Sequence, residues 1–373
     1  MKGISTRWHQ VTVGDICEFK YRKSLPAQLR EGGEVEVYGS NGVVGHHIEA
    51  LTASDTIIIG RKGSYGEVNY ASYPCWPIDT TFFVDRTCTK QDLRWLYYQL
   101  GALGLNKMNR AAAIPGLSRD DAYRQTFMLP PLPEQRRIAD ILDKADALRA
   151  KRREALALLD QMAQSIFIEM FGDPISNQAN YTIRPLQELI EPERPISYGI
   201  LMPGPHVDDG VKYVRVVDMK EGTIDHLSVR RTAPEISKHY RRSLLRSGDL
   251  LLSIRGHVGR LAIVPEHLNG ANITQDTARL AVVGASTTFV RECLRHSSFQ
   301  YWMAKHTKGV AVRGINLGDV KLMPIPIPPK SQQNEFEFKM ERTEVLGPKY
   351  RQAIADAELL FASLQHRAFR GEL

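Results

Sequence analysis

The sequence predicts an α+β protein: two β-rich blocks in tandem repeat, each leading through a proline-rich exit into a long helix. Self-similarity is the first observation behind this. The stretch "AIPGLSRDDAYRQTFMLPPLPEQRRI" from Ala113 lies over "AVRGINLGDVKLMPIPIPPKSQQNEF" from Ala311 at a constant offset of 198 residues. Gly116 meets Gly314, Asp121 meets Asp319, the pair Pro130 and Pro131 meets Pro328 and Pro329, and Gln135 meets Gln333. Upstream, "DTIIIGRKGSYGEV" from Asp55 resembles "DLLLSIRGHVGRLAIV" from Asp249. The second observation is an apolar stripe at heptad spacing after each exit.

In chain order, the first β-rich block is expected over residues 1–133 and the second over 173–330, with helices over 134–172 and 331–373. The exits "MLPPLP" and "MPIPIPP" cannot be central strands or helix interiors, because each proline lacks an N–H and holds its predecessor extended. Pro133 suits the first helical position, Glu134 suits the positive end of the helix dipole, and Ser331 is the expected N-cap of the second helix.

The first helix carries Ile138, Ala145, Arg152, Leu159 and Ile166 at one heptad position and Ile141, Leu148, Ala155, Met162 and Glu169 at another, a mostly apolar pattern. Leu142 and Leu156 widen the face, and Gly172 with Pro174 ends it. At 1.5 Å per residue it would be about 58 Å long, too long to stand without another helix against it. The second helix offers a looser stripe of Phe336, Met340, Leu346, Ile354, Ala357, Leu360, Leu364 and Ala368. A kink or break is expected at Gly347 and Pro348. The alternative for either stripe is a helix packed on its own globular block.

Length and composition are those of a globular protein of two or three domains. The net charge of +7 divides as +2 over residues 1–133, 0 over 134–172, +6 over 173–330 and −1 over 331–373. A basic surplus confined to the two blocks points to nucleic acid there. Cys17, Cys75, Cys88 and Cys293 are scattered and form neither a zinc motif nor a disulfide framework. The opening "MKGISTRWHQVTVGDI" has no apolar leader and no apolar run reaches membrane length, so a cytoplasmic chain is expected, with no membrane partner.

No phosphate loop of the G-x-x-x-x-G-K-[ST] kind and no N/D-P-P-Y/F methyltransferase motif occurs, and Asp173-Pro174 reads as a helix stop. No catalytic residue and no metal site is therefore expected. The turns Gly63 to Gly66 and Gly256 to Gly259 read as hairpins before phosphate cradles.

The order of β-rich block, "PLPEQRRIADIL", long helix ending "SIFIEMFGDP", second block, "IPIPPKSQQNEF" and second helix ending "LFASLQHRAFRGEL" resembles the specificity subunit of type I restriction-modification systems. The resemblance covers essentially the whole chain and implies two target-recognition domains in pseudo-two-fold repeat. Each would read one half of a bipartite double-stranded DNA target. The helices would pack antiparallel as a spacer fixing half-site distance and would dock methyltransferase subunits, expected to number two. Restriction-translocase subunits complete the implied assembly. The chain itself would hold no cofactor, with S-adenosylmethionine, ATP and Mg on the partners. Alternatives are a free-standing DNA-binding regulator or the specificity part of another multi-subunit restriction enzyme.

DNA contacts are expected from turn residues able to reach base edges or phosphates. In the first block these are Arg61, Lys62, Ser64 and Tyr65, then Asn106, Lys107, Asn109 and Arg110, with Ser118 and Arg119. In the second they are Arg255, His257 and Arg260, then Lys305, Lys308, Arg313 and Asn316. The basic run Arg230 to Arg242 reads as a surface helix that touches phosphates at most. Spacer and docking roles are expected of Pro133, Glu134, Gln135, Ile138, Ile141 and Leu142 at the first junction, and of Leu148 and Leu159 further along that helix. Gln333, Phe336, Leu360 and Leu364 are their counterparts on the second.

Overall fold

The computed structural model describes residues 8–22, 24–108, 116–220, 222–309 and 313–373. The chain divides into two compact units, Met1–Glu154 with Gln352–Leu373, and Ala155–Arg351. Each long helix therefore contributes one half to each unit.

The first unit runs β1 (His9–Thr12), α1 (Val13–Ile16), β2 (Val35–Gly39), β3 (Gly42–His47), β4 (Thr56–Gly60), β5 (Val68–Ala71), β6 (Trp76–Pro77) and β7 (Thr81–Asp85). Then come α2 (Leu93–Ala102), α3 (Arg119–Tyr123), β8 (Thr126–Leu129) and the start of α4 (Leu132–Phe171). Sheet orders are β3-β2-β6 and β5-β4-β7, and β1 pairs antiparallel with β8. β4 is an isoleucine run because both its faces are covered. Ile57 and Ile59 enter the main core with Val84, Trp95, Leu96, Ile138 and Phe361, while Ile58 turns to Tyr38, Ala71 and Cys75.

The second unit runs β9 (Thr182–Pro185), β10 (Ser197–Tyr198), β11 (Val211–Val214), β12 (Met219–Lys220), β13 (Thr223–Ile224), β14 (Arg230–Thr232), α5 (Pro234–His239), β15 (Leu250–Ser253) and β16 (Leu261–Ile263). It continues with β17 (Asn272–Ile273), β18 (Thr277–Leu280), α6 (Thr287–Arg295), α7 (Ser297–His306), α8 (Leu317–Lys321), β19 (Pro324–Ile327) and α9 (Lys330–Ala368). Its main sheet, β10-β18-β15-β16, repeats β7-β4-β5 of the first unit, and β9 pairs with β19 as β1 does with β8. Each exit thus begins as half of a two-stranded ribbon; Pro324 and Pro326 lie within β19, where a missing N–H is tolerated, while Pro130 and Pro131 follow β8.

The helices start earlier than expected, by one residue in the first and two in the second. α4 begins at Leu132 and α9 at Lys330, so Pro133 is the second helical residue and Ser331 lies inside the first turn instead of capping it. Pro131 and Pro329 take the cap position, their carbonyls accepting from the N–H groups of Glu134 and Gln135, and of Gln332 and Gln333. α9 continues through Pro348 to Ala368 without the expected break. Gly347 ahead of that proline is buried, on the packed side of the helix.

The heptad frame of α4 is also rotated by one residue. Its inward line runs Gln135, Leu142, Arg149, Leu156, Ala163 with Ala139 and Phe167, whereas Leu148 and Met162 are exposed. Charged residues on the seam hide it from an apolar count. In the first unit the Arg149 guanidinium lies 3.7 Å over the Phe361 ring and pairs with Asp146 and Glu358, and Arg153 also pairs with Glu358. Arg137 meets the carbonyl of Leu373, so α4 and α9 run antiparallel in this unit. In the second unit Phe167 and Phe171 meet Phe336, the same antiparallel sense. Ile138 and Ala145 are buried because they face the globular core of their own unit.

Candidate nucleic-acid interface

The β4–β5 and β15–β16 hairpins place the expected contact residues. Both turns need left-handed glycines: Gly63 and Gly66 have φ of +73° and +75°, Gly256 and Gly259 of +70° and +94°. At Gly66 a Cβ would stand 2.2 Å from the backbone N of Asn106, and at Gly259 2.4 Å from Oε1 of Gln300. Each turn is therefore locked against the helical segment beneath it.

The units match hydrogen bond for hydrogen bond around this turn. Arg61 N–H donates to the Thr80 carbonyl and Ile254 N–H to that of Asp276; Leu117 N–H donates to the Arg61 carbonyl and Ile315 N–H to that of Ile254. Lys62 bridges Gly116 and Arg255 bridges Gly314. Arg255 is consequently the structural partner of Lys62, and Arg61 that of Ile254, because the hairpin offset is 193 while the exit offset is 198.

Lys62, Ser64, Asn106, Lys107 and Arg119 are exposed in the first unit, and Arg255, His257, Lys305, Lys308 and Arg313 in the second. Lys308 and Gly314 exchange backbone hydrogen bonds of 2.8 and 2.9 Å, and Gly256 N–H reaches the Arg313 carbonyl at 3.0 Å, so Arg255, Lys308 and Arg313 share one edge. Arg61 is half-buried, its guanidinium 4.9 Å over the Tyr21 ring. Tyr21, 52% exposed, was not legible as a site residue; only this stacking brings it to the turn. Asn109 and Arg110 lie outside the described residues.

Other expected contact residues are engaged within the fold, or lie in elements other than those expected. Tyr65 is half-buried against the first core. Arg260 turns inward, donating to the carbonyls of Val216 and Met219 at 3.2 and 3.3 Å. Ser118 and Asn316 cap α3 and α8, accepting from the N–H groups of Asp121 and Asp319, so their acceptor oxygens are committed. The basic run Arg230 to Arg242 is not one surface helix but β14, α5 and the start of a 3₁₀ turn, Arg241–Ser243.

Among the residues expected at the spacer, Gln135, Ile138, Leu142, Gln333 and Phe336 are buried within their own units and do not form a docking surface. Pro133 and Leu360 are exposed, Leu148 is just exposed at 37%, and Glu134, Ile141, Leu159 and Leu364 are intermediate. Glu134 is paired with Arg137, which holds its carboxyl below the usual range.

The two glutamines make the same joint. Gln135 accepts the Asp92 N–H at 2.9 Å and donates to the Pro130 carbonyl at 2.8 Å; Gln333 accepts the Ser286 N–H at 2.8 Å and donates to the Pro328 carbonyl at 2.9 Å. Gln332, where the first junction has Glu134, accepts instead from the Tyr181 hydroxyl at 2.8 Å.

No group of three or more His, Cys, Asp or Glu among the described residues is placed to hold a metal. Burial pushes the Cys17 thiol up to about 12 and the Cys293 thiol well above the usual range, the opposite of an activated nucleophile. No helix among the described residues is long and apolar enough to cross a membrane.

Two modules with one hairpin, one glutamine joint and shared parts of two long helices define a duplicated protein built on those helices. A family model of the type I restriction modification DNA specificity domain matches residues 6–158. The type I restriction enzyme EcoBI specificity subunit of Escherichia coli is 26% identical over 350 residues, covering 86% of this chain and 74% of the relative. The EcoprrI specificity subunit of the same organism is 26% identical over 143 residues, 37% of this chain and 35% of that one. The crystal structure of the type I restriction-modification S subunit from M. genitalium shares the fold, with a TM-score of 0.61 at 13% identity over 99% of this chain and 98% of the other. Residues 6–158 thus carry the match to the specificity domain, and over most of its length the chain is similar to type I restriction enzyme specificity subunits.

Proposed function

We propose that this chain selects the DNA target of a type I restriction-modification enzyme and carries out no chemistry itself. Each unit reads one half of a bipartite sequence. The paired helices set the half-site distance and dock methyltransferase subunits, which, with the restriction-translocase subunits, carry S-adenosylmethionine, ATP and Mg. The observation that supports this best is the matched hairpin in the two units, which presents Lys62 in one and Arg255 in the other at equivalent exposed positions. Identical scaffolds with different side chains at the tip are what reading two different half-sites requires.

Mapping methylated adenines genome-wide in a host with and without this gene, with its methyltransferase expressed, tests the reading. A bipartite motif lost on deletion is expected; an unchanged methylome would overturn it. Arg255→Ala is expected to lower affinity for the cognate duplex by about 1–3 kcal/mol if its guanidinium reads guanine. Arg61→Ala, for which the sequence alone suggests the same loss, is expected to act through its stack on Tyr21. Titration of the methyltransferase complex with labelled duplex measures both. Unchanged affinity and methylation in Arg255→Ala and Lys62→Ala would remove the hairpin tips from the interface.

A further inference from the structure

The second unit contains an arginine-lined cleft of about 730 Å³ away from the hairpin turn, walled by Arg194, Arg241, Arg242, Arg246 and Arg279 with Glu193 at its edge. Two of these charges are internally balanced. Arg194 pairs with Asp249 at 2.5 Å and with Glu191 at 3.4 Å, and Arg246 pairs with Glu191 at 3.3 Å. Arg279 is different. It sits mid-strand in β18, 2% exposed, and has no carboxylate partner among the described residues. One Nη donates to the Pro195 carbonyl at 2.9 Å and its Nε has no partner. Burial and the neighbouring Arg194 guanidinium push its pKa below the usual arginine range. Asp249 and Glu191 attract it without pairing directly, and a buried cation with no direct carboxylate partner is costly unless something compensates it.

The fold does not demand this cation. Arg279 pairs with Leu251 in β15 as Phe83 pairs with Ile58 in β4, so the same strand position in the first unit is a buried phenylalanine. The mouth of the cleft adds two exposed arginines, Arg241 and Arg242, on the 3₁₀ turn Arg241–Ser243. Neither has an ion-pair partner among the described residues.

We propose that this cleft binds a phosphate group, which Arg241 and Arg242 engage from the rim and Arg279 attracts from within. Guanidinium forks match phosphate oxygens in geometry and charge. The phosphate is either a DNA phosphodiester or a free phosphate. The site rests on the arginines alone, and only its assignment to DNA rests on the specificity-subunit reading.

Thermal unfolding of the full chain with inorganic phosphate against chloride at matched ionic strength tests the site. Phosphate is expected to raise the wild-type Tm by several degrees. Arg279→Met is expected to abolish that shift at an equal or higher starting Tm, as Phe83 fills the same place in the first unit. Arg242→Ala, a surface change that leaves the core intact, is expected to weaken phosphate binding about tenfold and carries the test if Arg279→Met fails to fold. The salt dependence of duplex binding separates the sources. A slope reduced by about one in Arg242→Ala identifies a phosphodiester, and an unchanged slope with a lost Tm shift identifies free phosphate. No phosphate-specific shift in the wild type together with an unchanged slope would overturn the site. Absence of all DNA binding would instead defeat the specificity reading, with the Tm measurement still deciding the cleft.

Discussion

Phe167→Ala is expected to destabilise the chain by about 3–5 kcal/mol, the range for removing a buried ring and leaving a void. Phe167 is 1% exposed, and its ring centroid lies 5.3 Å from Phe171, 5.7 Å from Phe289 and 5.8 Å from Phe336. These four rings come from α4, α6 and α9, so one side chain holds three helices of the second unit. Aromatic pairs at these separations add to simple burial. Urea unfolding of the full chain measures the loss, with Phe338→Ala, 74% exposed on α9, as a control expected within about 0.5 kcal/mol of wild type. A loss below about 1 kcal/mol for Phe167→Ala would mean that the ring cluster does not hold the helices.

Gln333→Glu is expected to cost about 3–5 kcal/mol at neutral pH, more than a single lost hydrogen bond, because it sets a buried carboxylate oxygen against the Pro328 carbonyl. The acceptor role towards the Ser286 N–H survives, and only the donor is lost. A protonated carboxyl could donate again, so folding favours the protonated acid and raises its pKa above the unfolded value. Such a group is stabilising below its unfolded pKa and loses that contribution as pH rises through the folded pKa. The deficit should therefore be larger at pH 8 than at pH 5. Denaturation at both pH values checks this, and a pH-independent deficit would show that the amide's donor is not what matters.

Much of the fold was legible because it rests on strong local chemistry. The proline exits, the glycine turns and the stop at Gly172, whose φ is +71°, come from residues with distinctive backbone preferences, and the 198-residue repeat doubles the signal. What was misread depended on tertiary partners. The α4 seam carries Arg149 and Asp146, which become interior only through Glu358 and Phe361 on α9. Arg61 and Arg255 were both expected to contact DNA, but the 193-residue offset of the hairpin pairs Arg255 with Lys62 and leaves Arg61 opposite Ile254. Ser118 and Asn316 had the right chemistry for base contacts, yet a helix start claimed their oxygens first. Tyr21 and Arg279 gave no local signal at all, since one acquires meaning from a guanidinium and the other from a strand register.

The glutamine joint has a consequence for how such chains diversify. On the module side, Gln135 and Gln333 grip main-chain N–H groups, those of Asp92 and Ser286. Every residue except proline offers that group, whatever its side chain. The bond shared by both joints therefore asks only for a backbone amide, like a standard fitting that accepts any tool with the right shank, while the side chains of Gln91 and Ser286 add one bond each in their own unit. A module could exchange most of its surface side chains and still keep this bond to the long helix, provided its backbone arrives at that one amide.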